Sequence, residues 1–200
     1  MDLSPHGAFA LDYRPCRYGD SPLMFRGPAR SLDAPYVVFL GGNDTYGRFV
    51  PDPYPSRLER VLDVGCVNLG CLNAGPEVYL NDAEIMAICG GARAAVIDLP
   101  GAQNLSNRYY TVHPRRNDRF VKPSALLRTI FSEVDFTEFN FTRHMLAGLE
   151  ARSPERFEIV KEELRTAWIA RMRLLIRKIR VPVVLLWFAD RGLDAAATRP

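Results

Sequence analysis

Residues 36–47 read YVVFLGGNDTYG. The run from Tyr36 to Leu40 is β-branched or aromatic at four of its five positions. That is the length and type of a strand buried on both faces. Gly41 and Gly42 end the run, and Asn43, Asp44 and Thr45 follow as a polar turn. In α/β proteins a strand that runs into glycines and polar residues exposes a catalytic or anion-binding group there. Asn43 stands in the place of such a group. Its amide can donate and accept hydrogen bonds but cannot attack a carbonyl carbon.

Working outward from this strand, residues 1–35 are rich in proline and glycine (SPHG, YGDSP, RGPAR) and predict an irregular arm. After the turn, Pro51, Pro53 and Pro55 delay a helix until SRLERVL (56–62), with Ser56 as its cap and Leu58, Val61 and Leu62 as its buried face. CVNLG (66–70) predicts a second strand. NDAEIMAICGGA (81–92) predicts a helix from an Asn/Asp cap to a glycine pair, and AAVIDLP (94–100) a third, central strand. The polar stretch 101–124 predicts a long functional loop. Short helices are expected in SALLRTIFSEV and TRHMLAGLEA. A long helix is expected over 154–180, where Phe157, Val160, Leu164, Trp168, Met172, Leu175 and Ile179 recur at helical spacing. VPVVLLWF (181–188) predicts a fourth, fully buried strand, and 191–200 a disordered tail. The alternation argues for one α/β domain over 36–190, built on a doubly wound parallel sheet of about four strands with flanking helices. Three polar stretches, GGNDTYG, GCLNAGPE and GAQNLSN, then fall at the carboxyl ends of strands, where such sheets bind ligands.

The 200-residue chain is long enough for a domain without staples. Its formal charge of +3 implies neither a nucleic-acid nor a membrane partner. Cys16, Cys66, Cys71 and Cys89 form no CxxC pair, so no metal is expected, and no cofactor motif is present. Cys66 and Cys89 read as buried thiols of a reducing compartment. MDLSPHGAFALDYRP lacks the basic and apolar segments of a leader peptide, which makes a soluble, cytoplasmic protein the expectation. The oligomeric state stays open.

The strings around the first turn resemble the GDSL/SGNH hydrolases, a flavodoxin-like family that cleaves esters on small molecules and glycans. That family carries G-D-S-x-T-x-G after strand one, glycines after strand two, G-x-N-D after strand three and a late D-x-x-H. GGND (41–44) spells the third block, but the proline-rich residues before it cannot supply two earlier strands. Placed as the first block, Gly41, Thr45 and Gly47 match, Gly42 replaces the aspartate and Asn43 replaces the serine. PYPSRLERVLDVGCVNLGCLNAGPEVYL (53–80) continues the pattern, with Asn73 where an oxyanion glycine often sits. GAQN (101–104) occupies the third block, with Gln103 and Asn104 for its Asn and Asp. The late D-x-x-H has no counterpart. This resemblance covers residues 36–105. Segments such as SNRYYTVHPRRNDRF (106–120) and EVDFTEFNFTRHML (133–146) resemble an uncharacterised bacterial family of unknown function over nearly the whole length. Its members are typically longer, so a C-terminally shortened member is expected.

The resemblance implies a cleft in which Gly42, Asn43, Asp44, Thr45, Asn73, Gln103, Asn104 and Asn107 bind a small anionic or glycan-type ligand, with weak or absent hydrolase activity. For any nucleophilic chemistry the candidates are Ser106, alternatively a turn residue, and His113, alternatively a loop histidine bonded to backbone. Arg115, Arg116 and Arg119 could grip a carboxylate, sulfate or phosphate, or form a solvated cluster. His144 reads as a structural helix residue. Two further readings stand beside this one. Arg116 and Ser124 have the spacing of a sulfotransferase motif, although the phosphate cradle lacks its basic residue and Arg48 is the nearest. A binding scaffold that kept the sheet and lost the serine is the other.

Overall fold

The computed structural model describes residues 11–188. Among them, the strands are β1 (Tyr36–Leu40), β2 (Gly65–Asn68), β3 (Ala94–Asp98), β4 (Tyr110–His113), β5 (Arg116–Pro123) and β6 (Val183–Leu186). The helices are α1 (Asn43–Tyr46), α2 (Tyr54–Leu62), α3 (Pro76–Leu80), α4 (Ala83–Gly91), α5 (Ala125–Ile130), α6 (Thr142–Arg152) and α7 (Pro154–Ile179). Four strands form a parallel sheet in the order β2-β1-β3-β6, and β4 and β5 form a separate antiparallel hairpin. β1 runs beside β2 with Phe39 opposite Asn68, and beside β3 with Leu40 opposite Ile97. Because β2 and β3 flank β1, the chain leaves β1 toward one edge and leaves β3 toward the other. A crevice opens between the two strand ends.

Apolar alternation places Val38, Leu40, Val67, Leu69, Ala95 and Ile97 in one core with Ile85 and Ile88 of α4 and with Met172, Leu175 and Ile179 of α7. Phe39 meets Tyr54 of α2 instead, ring centroids 5.6 Å apart. A second core joins Tyr110, Val112 and Phe120 of the hairpin to Leu127, Met145, Leu149, Phe157, Val160 and Leu164. α7, 26 residues and about 39 Å long, belongs to both cores. The Trp168 indole N–H on α7 donates to the Pro100 carbonyl at 2.8 Å, tying the helix to the exit of β3.

The turn after β1 is held from below by Tyr79 of α3. Its hydroxyl accepts from the Gly41 N–H at 3.0 Å and donates to the Gly41 or Leu69 carbonyl, 2.8 and 2.9 Å away. Tyr79 is 3% exposed. Tyr79→Phe therefore leaves buried backbone groups at two strand ends without a partner. It is expected to cost about 2 kcal/mol in urea unfolding. A loss below about 0.5 kcal/mol, within the range of unremarkable surface changes, would show that the turn does not depend on it.

Several expectations are corrected. α2 starts at Tyr54, with Pro53 at its N-cap and Pro55 in the first turn, so Ser56 is not the cap. Proline suits that turn because its fixed φ is helical and its missing N–H has no partner there anyway. Leu58 is half-buried, but Val61 and Leu62 are exposed. The stretch 101–124 is no structureless loop, since it contains the hairpin. β6 is an edge strand rather than a fully buried one, with Val184 and Leu185 half exposed. α3, a short helix opened by Gly75 and Pro76, was not anticipated. Between residues 11 and 35 the arm carries one bridge, Cys16 to Phe25, and places Tyr18, Leu23 and Phe25 in the core. Its first ten residues and the tail expected at 191–200 lie outside the described residues. Cys66, Cys71 and Cys89 are buried free thiols, and burial pushes Cys89 up to about 12. Among the described residues no helix is long and apolar enough to cross a membrane.

Candidate functional site

At the carboxyl ends of β1 and β3 lies a cavity of about 720 Å³. Four side-chain amides line it: Asn43 from the β1 turn, Asn73 from the β2–α3 turn, and Gln103 and Asn104 from the segment after β3. Asp44, Asp98 and Asp118 add carboxylates, Arg143 and His144 add nitrogen donors from α6, and Phe141 and Phe188 add rings. Gly42 completes the β1 side; a Cβ there would meet nothing within 4 Å.

The amides are wired together. The Asn43 Nδ2 donates to Asn73 Oδ1 at 3.0 Å, and the Asn73 N–H donates back to Asn43 Oδ1 at 3.1 Å. Asn73 takes the left-handed backbone conformation, φ 55°, which Asn tolerates better than most residues. Its Nδ2 donates to Asp118 Oδ2 at 3.2 Å, and its carbonyl accepts from Asn104 Nδ2 at 3.1 Å. Asn104 Oδ1 accepts in turn from the Thr142 hydroxyl at 3.2 Å. Five separate segments, the β1 turn, the β2–α3 turn, the stretch after β3, β5 and the start of α6, thus share one hydrogen-bond chain.

Beneath the turn, Thr45 is fully buried. Its hydroxyl donates to Asp98 Oδ2 at 3.2 Å and lies 3.0 Å from the Tyr54 hydroxyl. Asp98 is the last residue of β3 and is 7% exposed. Burial pushes its carboxyl up to about 6, with the Asp44 charge adding to the rise and the Thr45 hydroxyl and Gly42 N–H opposing it. A carboxyl in that range can hold or release a proton near neutral pH. Among the described residues no group of three or more His, Cys, Asp or Glu side chains is placed to hold a metal ion.

The family described as a domain of unknown function, DUF6473, matches residues 1–200. The chain belongs to that family. No curated protein and no solved structure matches it.

In this family member the residues anticipated from sequence are brought together only in part. Gly42, Asn43, Asp44, Asn73, Gln103 and Asn104 meet in the one cleft. Thr45 is below its floor and not on its surface. Ser106 and Asn107 are turn residues away from it. The Ser106 hydroxyl accepts from the Val112 N–H at 3.1 Å, and Asn107 Oδ1 accepts from the Tyr109 and Tyr110 N–H groups. His113 accepts from the Arg115 N–H at Nδ1 and faces a neighbouring pocket with Arg115 and Arg116. Ser106 and His113 therefore form no nucleophile–base pair. Arg119 stacks on the Phe141 ring at 4.5 Å and leaves the other two arginines. Arg116 and Ser124 stand at opposite ends of β5, roughly 25 Å apart at strand rise, and the Ser124 hydroxyl caps α5.

Asp98, not singled out from the sequence, and His144, read there as a structural helix residue, also line the cleft, and each carried a signal. Asp98 ends an apolar strand at its carboxyl end, where a charged residue has no packing role. On α6 the buried stripe is Thr142, Met145, Leu146 and Leu149, so Arg143, His144 and Ala147 fall off it and face the cleft. The His144 ring stands edge-on to Phe139, centroids 5.1 Å apart.

Proposed function

We propose that the chain is a divergent, SGNH-type domain that binds a polyhydroxylated small molecule or glycan end in this cleft without hydrolysing it through a covalent intermediate. The strand order β2-β1-β3-β6 supports the flavodoxin-like part of this reading, since it repeats the first four positions of that order. The observation that carries the function is the state of the nucleophile's seat. Asn43 fills it, with its amide committed at both ends to Asn73. The nearest hydroxyl, Thr45, is buried and bonded to Asp98. What remains is a rim of amides and carboxylates beside Phe141 and Phe188. Amides and carboxylates match the paired donors and acceptors of sugar hydroxyls, and rings match the apolar face of a sugar.

Two measurements test the reading. Calorimetry against a panel of neutral mono- and disaccharides is expected to show saturable binding that weakens about tenfold in Gln103→Ala, the loss of one good hydrogen-bonding group. No heat with any member of the panel would remove the glycan reading. Asn43→Ser is expected to leave hydrolysis of p-nitrophenyl acetate at the background rate, because the side chain at this position is hydrogen-bonded to Asn73 and to no histidine or carboxylate. Robust turnover by that single variant would sink the claim that the domain is not a hydrolase in waiting.

A further inference from the structure

Beside the cleft is a second cavity of about 640 Å³, walled on one side by Asn73 and Asp118, which also line the first. Into it face Arg48 from the segment after α1, and Arg115, Arg116 and His113 from the β4–β5 turn. None of the three arginines joins a salt bridge among the described residues, although seven other cations there do. The carboxylate in the wall, Asp118, already accepts from Asn73. His113 accepts the Arg115 N–H at Nδ1, which leaves its other ring nitrogen as the donor.

The basic turn is also fixed in place. Asn117, 1% exposed, accepts the Gly75 N–H at 2.9 Å and donates to the carbonyls of His113 and Pro114 at 3.0 and 3.3 Å. This one side chain clamps the hairpin turn to the start of α3, so Arg115 and Arg116 extend from an anchored backbone. Three guanidinium groups without a carboxylate partner among the described residues thus line one concave space, Arg48 also stacking over the Phe49 ring at 4.7 Å. Each also offers two parallel N–H donors to an oxyanion. The charge and donor pattern matches a tetrahedral dianion.

We infer that this pocket is an anion subsite for the ligand of the cleft, which is then a saccharide carrying a phosphate or sulfate ester. The inference rests on the glycan reading above for the sugar part and on the arginines for the anion. The sugar occupies the amide-lined cleft, and its ester group passes the Asn73–Asp118 wall to reach Arg48, Arg115 and Arg116.

The test uses the full chain, inorganic phosphate, inorganic sulfate, a panel of neutral hexoses and N-acetylhexosamines, and the 6-phosphates and 6-sulfates of that panel. Phosphate or sulfate is expected to bind saturably, and about tenfold more weakly to the double variant Arg48→Gln/Arg116→Gln. At least one esterified sugar is expected to bind more tightly than both its neutral parent and the free anion; comparing the two ester series tells phosphate from sulfate. Thermal unfolding of the double variant checks that it is folded, as expected for two exposed side chains. If neutral sugars bind but neither anion does, or if the double variant binds the anion unchanged, the subsite is overturned while the cleft reading stands. If the anion binds through the arginines but no esterified sugar binds more tightly than the free anion, the bridging ligand is overturned, and the glycan reading falls with it only where the neutral sugars also give no heat.

Discussion

Gly75→Ala is expected to lower stability by about 3 kcal/mol, at the upper end for overpacking a rigid contact. A Cβ at this position would lie 1.7 Å from the Asn104 carbonyl oxygen and 3.1 Å from Asn117 Oδ1. The first of these is backbone, so no rotamer change relieves the overlap. The β2–α3 turn must part from the segment after β3, and two bonds stretch or break as it does. One runs from the Gly75 N–H to Asn117, the other from Asn104 Nδ2 to the Asn73 carbonyl. Both hold the cleft and the basic turn together, so binding at either place should fall along with the urea midpoint. Gly65→Ala is the control. Its nearest contact would be an ordinary 3.7 Å, and it should stay within about 0.5 kcal/mol of the wild type. Equal small effects from both substitutions would mean that the close approach at Gly75 is not a constraint.

Asp98→Asn is expected to stabilise the protein at neutral pH and to flatten its pH dependence. In the fold the Asp98 carboxyl is raised from its ordinary 3.8 to about 6. Between those values the folded protein keeps a proton that the unfolded chain has released. By linkage, stability then falls as pH rises through that window, and the whole cost is present above it. This is opposite in sign to a carboxylate held by a salt bridge. The cost at pH 7 is about 2 kcal/mol, taking about 1.4 kcal/mol per pH unit and allowing for some solvent access at the cleft floor. Asparagine keeps an oxygen for the Thr45 hydroxyl without carrying the charge. Denaturant unfolding of both proteins at pH 4, 5, 6 and 7.5 should show the gap opening with pH, centred between about 4 and 6. A constant gap would mean that Asp98 titrates as it does in the unfolded chain.

The sheet was legible because its strands are local apolar runs closed by glycine or a polar turn. β1 lies where the run from Tyr36 to Leu40 predicts it, and α7 follows the spacing of Phe157 through Ile179. The hairpin was not legible. In β4 and β5 only Tyr110, Val112, Asn117 and Phe120 turn inward, and arginines and His113 fill the letters between them, so the alternation reads as a polar loop. The burial of β6 was overestimated because an apolar edge strand and a central one look alike until their neighbours are known.

The site divides along the same line. Its amide-rich turns follow from sequence, since a glycine and an asparagine after a buried strand mark the ligand end of any parallel sheet. Ser106 and His113 are close in the chain, but the Ser106 hydroxyl bonds the Val112 N–H and the His113 ring the Arg115 N–H, so each side chain meets a different partner. Asp98 and His144 reach the cleft from elements far apart in sequence, and only the register of β3 beside β1 and the face that α6 presents decide that they do. Backbone propensity and apolar spacing act over a few residues and are written in the chain. Which side chains share one cavity depends on contacts between distant segments, and those are fixed only when the layers pack.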